Sequence, residues 1–207
     1  GPFEVETGQF KQTSGRTPSP GTCAGRVLEK IAEDDEKLVV LTAAMEKGLG
    51  LENFARRFPE RFFDVAIAEG HCIVFASGLA KAGMKVVVAI YSTFLQRGYD
   101  QVFHDICLQN LPVVFLIDRA GIVGEDGPTH HGIFDLSFLR TLPGLNLFTP
   151  YSIENLEELI VKSVNEKRPC FIRYPKGELP ERIQQEIVPD SRIAVLACGS
   201  MAGPSLD

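Results

Sequence analysis

Short apolar runs recur along residues 38–173, separated by stretches of helical periodicity and by turn residues. Leu38–Thr42 (LVVLT), Lys85–Tyr91 (KVVVAIY) and Pro112–Ile117 (PVVFLI) are continuous and rich in β-branched residues, the pattern of strands buried on both faces. Arg61–Ile67, Asn146–Phe148 and Cys170–Arg173 read as further strands. Helical spacing covers Cys23–Glu33, Asn53–Arg57, His71–Lys81, Leu95–Gln109 and Ile153–Asn165. Strands alternating with helices predict an α/β fold: a mostly parallel sheet with helices on both faces.

Polar, Pro- and Gly-rich stretches flank this pattern. Residues 1–21 read as an N-terminal arm or linker, residues 22–176 as the α/β domain, and residues 177–191 as a second linker. Residues 192–207 begin with the strand-like RIAVLACGS and read as the truncated start of a C-terminal domain, because such a strand needs the rest of a domain to bury it.

Composition narrows the function. The chain has 207 residues, 44% of them hydrophobic and 23% charged, as in an ordinary globular domain. A net charge of −6 argues against a nucleic-acid partner, which usually needs a basic face. It leaves room for a phosphorylated small substrate, which needs only a few local cations. No apolar run approaches the ~20 residues of a bilayer-crossing helix, so no membrane association is expected. The five cysteines are widely spaced without a CxxC pair, which suggests neither zinc ligation nor a disulfide framework. A reducing compartment is expected: the cytoplasm, or a plastid if the source is a plant or alga.

The densest chemistry lies at residues 118–132, DRAGIVGEDGPTHHG, directly after a strand-like run. Loops at strand ends are where open α/β sheets bind ligands. Glycines let the backbone approach a substrate, while Asp126, His130 and His131 offer acid, base and hydrogen-bond chemistry. Glu69 stands between a strand and a helix in a nearly uncharged stretch, where desolvation should raise its pKa and suit it to proton exchange. Tyr91, Phe94 and Arg97 cluster at the end of the strongest strand, with Phe94 and Arg97 spaced to share a helical face.

These segments carry a family resemblance. GEDGPTH (124–130) resembles the corresponding loop of the transketolase superfamily of thiamine diphosphate enzymes. DRAGIVG, HHG, AIAEGH (66–71), YSTFLQRGYDQ (91–101) and RYPKG (173–177) resemble, in order, segments of the narrower 1-deoxy-D-xylulose-5-phosphate synthase family. The resemblance runs from about Phe3 to Ser200 and covers the central, pyrimidine-binding domain of that family and a few residues of the next.

The resemblance implies roles. Glu69 would hydrogen-bond the aminopyrimidine ring of thiamine diphosphate and activate it, and Phe94 would stack on that ring. Tyr91 and Arg97 would line the acceptor pocket. His130 would bond the pyruvate-derived adduct or the acceptor aldehyde. Asp126 would bond acceptor hydroxyls or orient the histidine. Lys176 stands where the family often has an arginine that binds phosphate, keeping the charge without the fork. Arg97 and Lys176 together would supply the local positive charge. His71, His131 and Arg173 are secondary candidates, Arg173 equally readable as a structural cation. The substrates would be pyruvate and D-glyceraldehyde 3-phosphate, and the assembly a homodimer. Mg2+ and the cofactor pyrophosphate would be held by an N-terminal domain with a Gly-Asp-Gly motif that this sequence lacks; Gly48-Leu49-Gly50 has neither the acid nor the downstream asparagine. The chain would then supply one wall of a site and turn over nothing alone. A transketolase half, a ketoacid dehydrogenase β-subunit and a non-catalytic domain of the same fold are the other readings.

Overall fold

The computed structural model describes residues 18–183 and 198–201. Helix α1 (Pro20–Asp34) opens it, with proline in the first turn and Ser19 as N-cap, its hydroxyl accepting from the Thr22 amide at 3.2 Å. The helix therefore begins inside the expected 1–21 arm, whose first 17 residues lie outside the described ones. Strand β1 (Leu38–Thr42), helix α2 (Glu52–Arg57), strand β2 (Phe62–Asp64), helix α3 (Glu69–Lys81) and strand β3 (Lys85–Tyr91) follow. Next come two single turns, α4 (Ser92–Leu95) and α5 (Tyr99–Gln101), then strand β4 (Val113–Asp118), helix α6 (Asp135–Leu139), strand β5 (Asn146–Phe148), helix α7 (Ile153–Ser163) and strand β6 (Cys170–Arg173).

Among the described residues all six strands are parallel, in the order β2-β1-β3-β4-β6-β5. Right-handed crossovers then place α2 and α7 over one face, where α1 packs against both, and α3 with the helical run after β3 over the other. The central strands β1 and β4 are buried at every position, as their unbroken apolar runs predict. Phe115 and Phe171, paired across β4 and β6, stack with ring centroids 4.4 Å apart.

Three expectations change. The strand predicted over Arg61–Ile67 spans only Phe62–Asp64, because Asp64 Oδ1 accepts from the Ala44 and Ala66 amides and Ala66 turns left-handed (φ 57°). The single helix predicted over Leu95–Gln109 is broken into α4, a 3₁₀ turn (Gln96–Gly98), α5 and a π-helical segment (Val102–Cys107). Gly98 lets α3 approach at the break: a Cβ there would lie 2.1 Å from Ile73 Cδ1. The start of the predicted 177–191 linker is docked rather than loose. Leu179 is buried with Cys23 and Ile153, and the Ile153 and Glu154 amides donate to the carbonyls of Pro180 and Glu181. The remainder of that linker and most of the strand and turn predicted over Arg192–Ser200 lie outside the described residues; Gly199–Met201 form a 3₁₀ turn where that prediction ends.

Candidate functional site

The C-terminal ends of β1, β3, β4 and β6 face one side, and the chain reverses its direction across the sheet between β1 and β3. Open parallel sheets bind ligands at such a switch point. Two groups of side chains meet there.

The first gathers at the start of α3. Glu69 opens that helix and is only 4% exposed. Its Oε1 accepts from Arg97 Nη1 at 2.7 Å. The Arg97 guanidinium also lies 5.3 Å from the Phe94 ring centroid. Phe94 stacks on Tyr91 at 5.8 Å and meets His130 in a T-shaped contact at 5.3 Å. Glu69, Tyr91, Phe94, Arg97 and His130 are thus one contiguous set, although they come from three segments. The expected proximity of Phe94 and Arg97 is present. The Glu69–Arg97 ion pair is not visible in local spacing, since it spans 28 residues.

The second group is held by the loop after β4. Hydrogen bonds between Gly121 and Gly132 in both directions, at 2.8 and 2.7 Å, close its neck. Gly132 is required there, because a Cβ would lie 2.3 Å from the Arg119 carbonyl oxygen. At the loop's start Arg119 adopts a left-handed backbone (φ 61°) and its guanidinium carbon lies 3.6 Å from the Tyr91 ring centroid. Arg119 Nε donates to Asp126 Oδ2 at 3.0 Å, and Lys176 Nζ donates to Asp126 Oδ1. Partial burial works against the Asp126 charge, but Lys176 and Arg119 outweigh it and hold the carboxyl below the ordinary range. Lys176 also borders a cavity of about 450 Å³ between Ser19 and the loop residues 122–125.

Asp126 therefore spends both oxygens on cations and does not orient His130, whose Nδ1 pairs instead with Thr129 Oγ1 at 3.0 Å. The cation joined to Lys176 is Arg119, whereas Arg97 serves Glu69. His131 braces the loop: its Nδ1 accepts from the Val123 amide at 3.2 Å. His71 is exposed and stacks on Phe75, away from both groups. Arg173 is a structural cation, bound through Nε and Nη2 to Asp135, whose side chain is fully buried.

Sequence reasoning missed Arg119 and Gly48. Arg119 stood in a quoted motif, but nothing local reveals its left-handed backbone. Gly48 makes room for Tyr91, since a Cβ there would fall 1.7 Å from the phenol oxygen, and its carbonyl accepts from Arg119 Nη1 at 3.4 Å.

Residues 17–182 match the family of the transketolase pyrimidine-binding domain. The chain belongs to that family. Among relatives of this pyrimidine-binding domain, 1-deoxy-D-xylulose-5-phosphate synthase 1 of Geobacter sulfurreducens is 47% identical over 222 residues, covering all of this chain and 34% of the relative. The 1-deoxy-D-xylulose-5-phosphate synthase of Aquifex aeolicus is 52% identical over 176 residues, 85% of this chain and 28% of the relative. The chain spans about a third of the length of the curated relatives it matches. A solved split-gene transketolase, an inactive beta4 tetramer, superposes with a TM-score of 0.72 at 28% identity, over 86% of this chain and 57% of that one. The transketolase of Campylobacter jejuni shares the fold at TM-score 0.73 and 21% identity, over 84% and 28%.

Proposed function

We propose that this pyrimidine-binding domain supplies one wall of a thiamine diphosphate enzyme that condenses pyruvate with D-glyceraldehyde 3-phosphate. The products are 1-deoxy-D-xylulose 5-phosphate and carbon dioxide, the former a precursor for isoprenoid, thiamine and pyridoxal synthesis. The observation that carries this reading is the 46–52% identity to synthases of that name. Thiamine diphosphate, when bound, supplies the carbon nucleophile. The residues present suit its ring: a nearly buried carboxylate beside a half-buried aromatic face matches a flat heteroaromatic with a hydrogen-bonding edge.

In this reading Glu69 accepts a hydrogen bond from the cofactor ring, with Arg97 fixing the carboxylate through Oε1. Phe94 offers its face to the ring. His130, in T-shaped contact with Phe94, is placed to exchange a proton with the substrate oxygen. Arg119 and Lys176 form the cationic pair for the acceptor phosphate, with Asp126 holding both; Tyr91 backs Arg119. Ile67, Ile122, Ile133 and Phe134 are each more than half exposed, on segments adjoining Glu69 and the loop. They offer apolar surface for the second wall of the site, which would carry Mg2+ and the cofactor pyrophosphate. A homodimer in the cytoplasm completes the proposal.

The test is turnover by the protein purified with everything its gene encodes. Carbon dioxide release from pyruvate that depends on D-glyceraldehyde 3-phosphate supports the reading. Use of a ketose phosphate as the two-carbon donor in place of pyruvate would replace it with a transketolase.

A further inference from the structure

Asp118 has no part in the reading above, yet it ends β4 directly beneath the loop and is 4% exposed. Helix α1 closes over it: Gly21 has no side chain, and a Cβ there would stand 3.2 Å from Asp118 Oδ2. A carboxylate taken out of water weakens a fold unless its bonds repay the desolvation. The bonds of this one converge on a single residue. Asp118 Oδ1 accepts from the Arg119 backbone amide at 2.5 Å, and Oδ2 accepts from Arg119 Nη1 at 3.2 Å.

Arg119 needs such a grip. Its left-handed backbone (φ 61°) is one that a long side chain adopts only where its surroundings enforce it. With that turn the guanidinium passes over the Tyr91 ring and meets Asp126 at 3.0 Å. Asp118 thus holds the arginine at both its backbone amide and Nη1, while Asp126 holds Nε and the Tyr91 ring lies against the guanidinium carbon.

We propose that Asp118 is the positioning residue of this site, holding Arg119 in its left-handed conformation so that the guanidinium is aimed as the anchor for a phosphorylated acceptor. The inference rests on the function proposed above and adds a residue that acts only through another. It also makes acceptor binding sensitive to protons. Burial pushes the Asp118 carboxyl up to about 7, opposed by the cations of Arg119 and Lys176 and reinforced by Asp126. The other groups that face it are Tyr91 on β3 and Tyr174 just past β6. Burial raises both phenols, so neither titrates near neutrality. Acidification through neutrality removes the Asp118 charge and slackens its hold on Arg119.

The test compares the protein carrying everything its gene encodes with Asp118→Asn and Asp118→Glu, from about pH 6 to about pH 8. Asp118→Asn is expected to raise KM for D-glyceraldehyde 3-phosphate about tenfold above neutrality. KM for pyruvate and kcat should stay within about threefold, and Asp118→Glu should recover part of the acceptor affinity. The wild-type rise in acceptor KM toward acid should be blunted in Asp118→Asn. The phosphate's own titration is common to both proteins, so the difference between the profiles isolates Asp118. Parallel profiles with equal acceptor KM overturn the proposal, as does an equal loss for both substrates.

A second measurement does not depend on turnover. Carbon NMR should find Asp118 titrating near neutrality and shifted higher still in Arg119→Met, because the arginine charge holds it down. An Asp118 midpoint indifferent to Arg119 overturns the clamp. If the wild-type protein converts neither substrate, the function proposed above fails, and this titration alone decides whether Asp118 grips Arg119.

Discussion

The central carbon of the Arg119 guanidinium stands over the Tyr91 ring, 3.6 Å from its centroid, while Nε of the same group is bonded to Asp126 at 3.0 Å. A planar fork that stacks on one group and bonds another cannot be copied by an ammonium point charge. Arg119→Lys is therefore expected to keep the fold but raise KM for D-glyceraldehyde 3-phosphate roughly 10- to 100-fold, about 1.4 to 2.8 kcal/mol. Steady-state kinetics beside a thermal melt separates that result from a folding defect. An acceptor KM unchanged in the lysine variant would remove Arg119 from the phosphate site.

Glu69→Gln keeps the size of the side chain and a hydrogen-bond acceptor for Arg97 but removes the charge. If Glu69 serves the cofactor, kcat should fall on the order of 100- to 10,000-fold. Circular dichroism and the melting temperature should stay close to wild type, since one residue at the start of α3 is altered without a change of volume. Retention of more than about a tenth of the wild-type kcat would rule the role out.

The raised carboxyl of Asp118 has an opposite consequence for stability. Its folded value of about 7 lies above the ordinary carboxyl value of 3.8, so the folded state binds the proton more tightly than the unfolded chain. Stability linked to this group is present at acid pH and is lost as pH rises through the window between those two values. Asp118→Asn, which mimics the neutral acid, should therefore stabilise the fold near pH 8 by roughly 2–4 kcal/mol. The advantage should shrink as pH falls toward the ordinary carboxyl value. Denaturant melts of both proteins at three pH values measure it. A uniformly less stable variant would show that the Asp118–Arg119 bonds outweigh burial.

Gly48→Ala would place a methyl 1.7 Å from the Tyr91 oxygen and 3.0 Å from the ring carbon that bears it. Relief requires moving Tyr91, and Arg119 rests on that ring. The variant is expected to lose about 1–3 kcal/mol of stability and to weaken the acceptor site. Adding Tyr91→Phe removes the closer collision, so a double-mutant cycle should show favourable coupling. Additive effects would mean that the loop around Gly48 yields instead.

Arg173→Met should be the most destabilising of these changes. Asp135 has a side chain with no exposed surface and takes both of its ion-pair bonds from Arg173. Removing the arginine strands a buried charge, a loss of about 3–5 kcal/mol. Asp135→Asn in the same chain should recover much of it, because the stranded group is then neutral. Urea unfolding of the single and double variants is the measurement.

Much of the scaffold was legible in the sequence. β1, β3, β5 and β6 begin and end where the sequence predicts; for β1, β3 and β6 the reason is that strands buried on both faces leave continuous hydrophobic segments, whereas β5 is a half-buried edge strand. The alternation with helices predicts the parallel sheet, and spacing alone brings Phe94 to Arg97. Features that depend on contacts across the chain were not legible. The helix expected after β3 breaks where Gly98 meets α3, and the strand expected through Ile67 stops where Asp64 ties the chain into a left-handed turn.

The site divides in the same way. The residue types, their order and the loop that carries Asp126 and His130 are properties of the sequence, fixed by local periodicity and motif spacing. Which cation meets which carboxylate was decided only in three dimensions: Arg97 with Glu69, Lys176 and Arg119 with Asp126, Arg173 with Asp135. Ion pairing follows distance and burial after the strands align. Neither quantity is encoded in the spacing of residues that lie 7, 28, 38 or 50 positions apart in the chain.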